Sequence, residues 1–243
     1  MTVSGTFMAG TVSLISVRVV GDAAGLFRFE RVAVRFGATT VLADIDVTIP
    51  DGRVTAMVGP SGAGKSTMLR LCNRLIVPTG GTVYFRGADV AALDPLALRR
   101  QVGMVFQRPT LFDGTVLENL RVADPAITVD AAATALHHVG LDPVLLDRAA
   151  RDLSGGEGQR ACLARTLATH PSVLLMDEPT AMLDLENAHR LERLVRRLVA
   201  TDGVAVVWVS HDAAQIRRVA DWVIRLDGGR VTGCDRGTEE GCR

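Results

Sequence analysis

Nine residues, Gly59-Pro60-Ser61-Gly62-Ala63-Gly64-Lys65-Ser66-Thr67, constrain this chain more than any others. They fit G-x-x-x-x-G-K-[ST] and stand between an apolar run, Val54–Val58, and a helical pattern over Ser66–Ile76. That order, strand then glycine loop then helix, is the one a phosphate-binding loop requires. Glycines let the backbone wrap closely around phosphate oxygens with its amides pointing inward. The helix start adds its positive dipole end. Lys65 supplies a point charge for β- and γ-phosphates, and the Ser66 hydroxyl is placed to hold Mg²⁺. Of the 27 basic residues Lys65 is the one lysine.

The rest of the chain reads as the frame for such a loop. Alternating Phe27, Phe29, Val32, Val34 and Phe36 predict a strand. Ile45–Ile49 predicts a second, before a turn at Pro50-Asp51-Gly52. Pro78 and Gly80-Gly81 close the first helix, and Thr82–Phe85 and Val102–Phe106 are further strands. Helical spacing dominates from Pro109 to Thr169, over Val116–Val122, Val129–Val139 and Gly155–Ala168. Strands return at Val173–Met176 and Val204–Val209. Between them Leu191, Leu194, Val195, Leu198 and Val199 line one helix face. Val223–Leu226 and Arg230–Val231 flank an Asp227-Gly228-Gly229 turn, and the polar chain from Gly233 reads as a frayed tail. Residues 1–25 read as a loose leader, within which Met8 is an alternative start. Strands alternating with helices predict an α/β core with a mostly parallel sheet.

Charge balance, 27 Lys+Arg against 27 Asp+Glu, excludes a strongly basic nucleic-acid-binding domain. No apolar run reaches the 18 or so residues of a membrane span. Cys72, Cys162, Cys234 and Cys242 form no CxxC pair, which fits a reduced compartment. His137, His138, His170 and His189 read as ordinary surface or core histidines. The pairs Arg196-Arg197 and Arg217-Arg218 read as solvated helix faces.

Two further signals carry chemistry. Val173-Leu174-Leu175-Met176 ends in Asp177-Glu178, and ligands gather at the carboxyl ends of strands in open α/β sheets. Asp177 can reach Mg²⁺ there, and Glu178 can polarise an attacking water. In Leu153-Ser154-Gly155-Gly156-Glu157-Gly158-Gln159-Arg160, Ser154 is a good N-cap and the glycines expose amides at a helix start. A second anion site exceeds what one nucleotide needs, and makes sense if it serves a nucleotide held by another subunit.

At these three motifs the chain resembles the ATP-binding cassette (ABC) family over about residues 27–233. The resemblance implies a P-loop NTPase core with a mostly parallel sheet, an N-terminal antiparallel β region and a helical insert. It divides the chain into core residues 26–107 and 170–233, a signature subdomain at 108–169 and a tail at 234–243. It implies two cassettes, identical or not, that sandwich two ATP molecules with Mg²⁺. Gly59–Thr67 then binds phosphates, with Ser66, Gln107 and Asp177 at the Mg²⁺. Ser154, Gly155 and Gly156 face the γ-phosphate of the partner's ATP. Gln107 matches the Q-loop glutamine, Ala181-Met182-Leu183-Asp184 the D-loop, and His211 the switch histidine. Phe36 lies where an aromatic ring stacks on adenine. Lys65, Gln107, Glu178 and His211 form the implied catalytic set.

The departures are Phe36 for tyrosine, Glu157 for glutamine, a helix-weakening Gly158 and Ala181-Met182 for Ser-Ala. Glu157 adds negative charge beside a phosphate site, an expectation of weaker closure unless it turns to solvent. The resemblance implies a transporter motor, peripheral on the cytoplasmic side of the membrane, with a separate permease and, for an importer, a substrate-binding protein. Leu111 and Phe112 suit a helix-in-groove contact with that permease, or belong to the insert's core. Asn73-Arg74-Leu75, Leu98–Gln107 and Leu111–Asn119 resemble phosphate-importer cassettes and their metal-export or nucleotide-sugar relatives, so phosphate or another small ion is the implied cargo. A soluble single cassette of the iron–sulfur assembly type is the alternative.

Overall fold

The computed structural model describes residues 25–237, so almost all of the expected leader and the last six residues lie outside it. In chain order the elements begin β1 (Phe27–Phe36), β2 (Thr39–Ile49), β3 (Val54–Val58), α1 (Lys65–Cys72), β4 (Gly80–Phe85) and β5 (Ala88–Asp89). Next come α2 (Pro95–Gln101), β6 (Val102–Val105), α3 (Val116–Ala123), α4 (Val129–His138) and α5 (Gly155–Leu167). The chain continues with β7 (Val173–Asp177), α6 (Leu185–Asp202), β8 (Ala205–Val209), α7 (Ala213–Val219), β9 (Trp222–Asp227) and β10 (Arg230–Arg236).

Two sheets result. An antiparallel sheet has the order β2-β1-β4-β5, and the main sheet has the order β10-β9-β3-β8-β7-β6. Main-sheet pairs are parallel except β10 against β9. This is the α/β P-loop architecture expected from the motifs. All five residues of β7 and all five of β8 are buried, as continuous apolar runs covered on both faces must be. One core, centred on Trp208, Leu174 and Met176, lies toward α3–α7. A second packs Met57, Val207 and Leu175 against α1 and the antiparallel sheet, where Phe27 and Phe85 meet.

Three boundaries differ from the sequence reading. Helix α1 stops at Cys72 rather than Ile76, in a Schellman turn. Leu75 N–H donates to the Arg70 carbonyl and Arg74 N–H to that of Leu71. The left-handed residue is Arg74, φ 55°, not glycine, so the stop carries no composition signal. The Arg74 guanidinium fastens the turn to the Leu93 carbonyl at 2.7 Å. Strand β2 starts at Thr39, six residues early, because register shifts between Phe29 and Arg35 break the period-2 pattern. Strand β10 runs on to Arg236, so the polar segment from Gly233 is paired with β9, not frayed. Strand β5 and helices α2 and α7 are short elements that the periodicity did not reveal.

Candidate functional site

Four neighbouring parallel strands deliver the site. β3, β8, β7 and β6 lie side by side, each about 4.8 Å from the next. The glycine loop leaves β3, His211 follows β8, Asp177 closes β7 with Glu178 next, and Gln107 lies two residues beyond β6. The carboxyl ends of adjacent strands thus gather these residues.

The loop has no room for other residues at its ends. Gly59 has φ +148°, and a Cβ there would stand 2.0 Å from the Leu226 carbonyl oxygen. Gly64 has φ +97°, with Leu42 Cδ2 at 2.5 Å from such a Cβ. Gly64 caps α1 without a side-chain bond, which leaves the amides at that helix start available to an anion. Between them Ala63 N–H donates to Pro60, while Pro60, Ser61 and Gly62 are exposed. Lys65 is buried and donates to the carbonyls of Gly59 and Pro60 at 2.8 and 2.9 Å. Its ammonium therefore spans the loop. Thr67 is half-buried in the first turn of α1.

Ser66 Oγ donates to Asp177 Oδ1 at 2.8 Å. Burial pushes the Asp177 carboxyl above its ordinary range, with the Ser66 hydroxyl, Arg70 and Lys65 working against that. A hydroxyl and a buried carboxylate within hydrogen-bond reach are hard oxygen donors that suit Mg²⁺. Among the described residues no group of three or more His, Cys, Asp or Glu could hold a metal alone. Two protein oxygens fit a cation that shares the remainder of its shell with phosphates and water.

Glu178 has φ 46°, left-handed backbone that a non-glycine residue adopts only when its surroundings hold it. Its N–H donates to the Val209 carbonyl at 3.1 Å, at the very end of β8. Turned there, its carboxylate receives Gln107 Nε2 at 3.1 Å and stands 3.5 Å from His211 Nδ1. Lys65, Ser66, Asp177, Glu178, Gln107 and His211 are therefore joined by direct contacts or by adjacent positions on one edge.

Phe36 and the signature stand apart from that edge. Phe36 ends β1, 56% exposed. Ser154, Gly155 and Gly156 open α5, with Met182 and Leu183 of the D-loop segment against the two glycines. Among the described residues no hydrogen bond or ion pair ties these four to the glycine loop, Asp177 or Glu178.

Glu157 has a structural reason. Ser154 Oγ accepts from Glu157 N–H at 3.3 Å, and Glu157 Oε2 accepts from Ser154 N–H at 2.8 Å, a complete capping box. Bonds from Ser154 hold the Glu157 carboxyl below its usual range, aided by Arg148 and Arg160. The carboxylate is thus committed to the backbone of its own helix start. Glu157→Gln, which retains the acceptor, is expected to change stability by less than about 0.5 kcal/mol. Glu157→Ala is expected to cost about 1 kcal/mol. Chemical denaturation distinguishes them, and equal losses would contradict the capping role. At Gly158 a Cβ would lie 3.3 Å from Leu111 Cδ1, a tight contact in which Leu111 would have to yield by a few tenths of an ångström.

The segment after Gln107 splits the two readings made of it. Leu111 packs on the helical core. Phe112 is half-exposed under the Arg165 guanidinium, 4.7 Å from its ring centroid, and Asn119 bonds both its N–H and its carbonyl.

A buried polar network escaped the sequence reading. Gln215 accepts from Trp208 Nε1 at 3.2 Å and donates to Glu192 at 3.1 Å and to Thr180 Oγ1 at 3.2 Å. Arg218 grips Glu192 twice, at 2.8 and 2.7 Å, so it is not simply a solvated face residue; Arg196 likewise pairs with Asp221 at 2.6 Å. Thr180 follows Glu178 by two residues, so the network braces the left-handed turn at Glu178 against α6 and α7. No local pattern reports it, because its members come from four separate elements.

Burial raises the Glu192 carboxyl, yet the Arg218 and Gln215 bonds outweigh burial and hold it below its ordinary 4.5. The folded state therefore takes up this proton less readily than the unfolded chain. The stabilisation is complete above about pH 4.5 and is lost as pH falls further. Arg218→Ala is expected to cost about 2 kcal/mol near neutrality, discounted for the partial exposure of Arg218. The gap in Tm from the parent should shrink in melts taken from pH 7 down to pH 3. A constant gap would contradict the pairing.

Comparison with known proteins identifies the family. The family model described as ABC transporter matches residues 42–181, from β2 through the glycine loop, Gln107, the signature and the acidic pair. Protein STAR1 of Oryza sativa subsp. japonica is 45% identical over 195 residues, 79% of this chain and 56% of that protein. The chain thus spans little more than half of that relative. Probable iron export ATP-binding protein FetA of Escherichia coli strain K12 is 40% identical over 209 residues, 83% of this chain and 91% of that one. The ATP-binding cassette MJ0796, solved as a dimer in a post-hydrolysis state bound to ADP and Pi, superposes with a TM-score of 0.78. It is 30% identical, over 88% of this chain and 99% of that one. With its phosphate loop, acidic pair and signature in one matched span, the chain belongs to the ABC transporter family, as one of its ATP-binding, ATP-hydrolysing cassettes.

Proposed function

We propose that this cassette powers a separate membrane permease from the cytoplasmic face of the membrane, moving phosphate or another small ion. The observation that carries the catalytic part is the meeting of Gln107 and His211 on Glu178, beside the Ser66–Asp177 pair. Bound Mg·ATP supplies the γ-phosphoryl group under attack. Around it, Gly59–Thr67 and Lys65 hold phosphates, and Ser66 and Asp177 hold the cation. Glu178 accepts the proton of the attacking water, and Gln107 orients that water and senses the cation. His211 contacts the γ-phosphate, and Phe36 stacks on the adenine.

The separation of Ser154, Gly155 and Gly156 from the chain's own loop supports a two-cassette sandwich, with the signature serving the partner's nucleotide. The dimeric MJ0796 structure supports the same arrangement. In this reading residues 26–107 and 170–233 are the catalytic core, and 108–169 the signature subdomain. No helix among the described residues is long and apolar enough to cross a membrane. Phe112, held by Asn119 and Arg165, is offered for the permease contact. The name of FetA and the subgroup resemblance support a small-ion cargo.

Co-purification from gently extracted host membranes tests the proposal. A stoichiometric multi-span partner is expected, with a substrate-binding protein if the system imports, and the permease's specificity in flux assays identifies the ion. Recovery of soluble partners alone would overturn the transporter reading in favour of a soluble ATPase.

A further inference from the structure

One cleft among the described residues lies away from the nucleotide site. It has a volume of about 400 Å³, lies between α4, α5 and α6, and includes none of Gly59–Thr67, Gln107, Asp177, Glu178 or His211 in its lining. That volume suits a small molecule. Its floor is apolar, from the buried Leu163, Leu191 and Leu194. Its walls are cationic. Arg190, Arg193 and Arg197 come from successive turns of α6, Arg160 from α5, and His137 and His138 from the end of α4.

The chain as a whole is neutral, so this concentration of one sign is local. Nearby carboxylates offset part of it. Glu186 is paired with Arg190 at 2.6 Å. Glu157 is bound to the Ser154 amide, and Asp184 caps α6 through the Asn187 N–H and side-chain amide. Arg160, Arg193 and Arg197 make no ion pair among the described residues. Arg160 lines the cleft and its Nε is buried with no hydrogen-bond partner. Burial lowers the Arg160 pKa, with Arg190 adding repulsion against the pull of Glu157 and Asp184. A bound anion would offset the repulsion between Arg160 and Arg190.

We propose that this cleft is a second ligand site, taking a small organic polyphosphate: an apolar body on the leucine floor and a diphosphate-type group among the arginines. Three unpaired guanidiniums match a group of about three negative charges better than a monoanion, and their planar forks suit phosphate oxygens. Arg160 links the cleft to the signature, since its Nη1 lies 3.8 Å from where a Gly156 Cβ would stand. The inference does not depend on the transport reading.

The test uses inorganic pyrophosphate as probe, by calorimetric titration of the full chain without Mg²⁺ and with ADP saturating the phosphate loop. One pyrophosphate is expected to bind with ADP in place. Arg193→Gln/Arg197→Gln should weaken it by about tenfold per arginine removed, with ADP affinity unchanged. Inorganic phosphate should bind at least about tenfold more weakly than pyrophosphate. Both arginines are exposed on α6, and circular dichroism checks that the variant folds; Arg193→Lys/Arg197→Lys, which keeps the charge, should retain most of the binding. No pyrophosphate binding beside ADP, or equal binding in the Gln variant, would overturn the site. Failure to bind ADP would instead contradict the nucleotide reading.

Discussion

Glu178→Gln is expected to lower ATP turnover by about 10²–10⁴-fold, the usual worth of a positioned general base. The substitution keeps the size of the side chain and an acceptor oxygen for Gln107, whose Nε2 lies 3.1 Å from the carboxylate. It removes the proposed acceptor of the water's proton. The left-handed turn at residue 178 rests on the Val209 carbonyl and not on the side chain, so the local backbone should persist. Steady-state phosphate release measures the loss, and equilibrium titration should find ATP affinity within about threefold of the parent, since nothing that holds phosphate has changed. Turnover near that of the parent would remove Glu178 from the role of base.

Lys65→Ala is expected to act on binding first, raising the Kd for ATP by about 10–100-fold, the worth of one or two charge-assisted hydrogen bonds. Two effects combine. The phosphates lose a buried point charge, and the carbonyls of Gly59 and Pro60 lose the donor that spans the loop. With Gly59 pressed against the Leu226 carbonyl, the loop can relax in few other directions. Unchanged ATP affinity in the variant would contradict the placement of Lys65. The two substitutions thus separate chemistry from binding along one strand-end edge.

Both predictions come from residues that were legible in the sequence, and the reason is geometric. A phosphate loop and a strand-end acid pair are local devices: consecutive residues must adopt special backbone or end a buried strand, and composition records that need. The same holds for the apolar runs of β3, β7 and β8 and for the face of α6. Local conformation without a compositional mark was not legible. Arg74 takes a left-handed C-terminal position that glycine usually fills, and bulges in β1 and β2 erase the alternation that defines a strand.

The motifs determined that this chain carries a glycine loop of the phosphate-binding pattern at Gly59–Thr67 on an α/β sheet, and which acids stand at a strand end. Tertiary structure alone decided what those acids touch. Strand order β3-β8-β7-β6 sets Gln107, Glu178 and His211 side by side, although they are 71 and 33 residues apart in the chain. Packing set Arg218 against the buried Glu192, gave Glu157 its place in a capping box and gathered four arginines around one cleft. Sequence patterns report which face of an element is apolar; the neighbour a polar side chain meets depends on strand order and helix packing, which no local pattern contains.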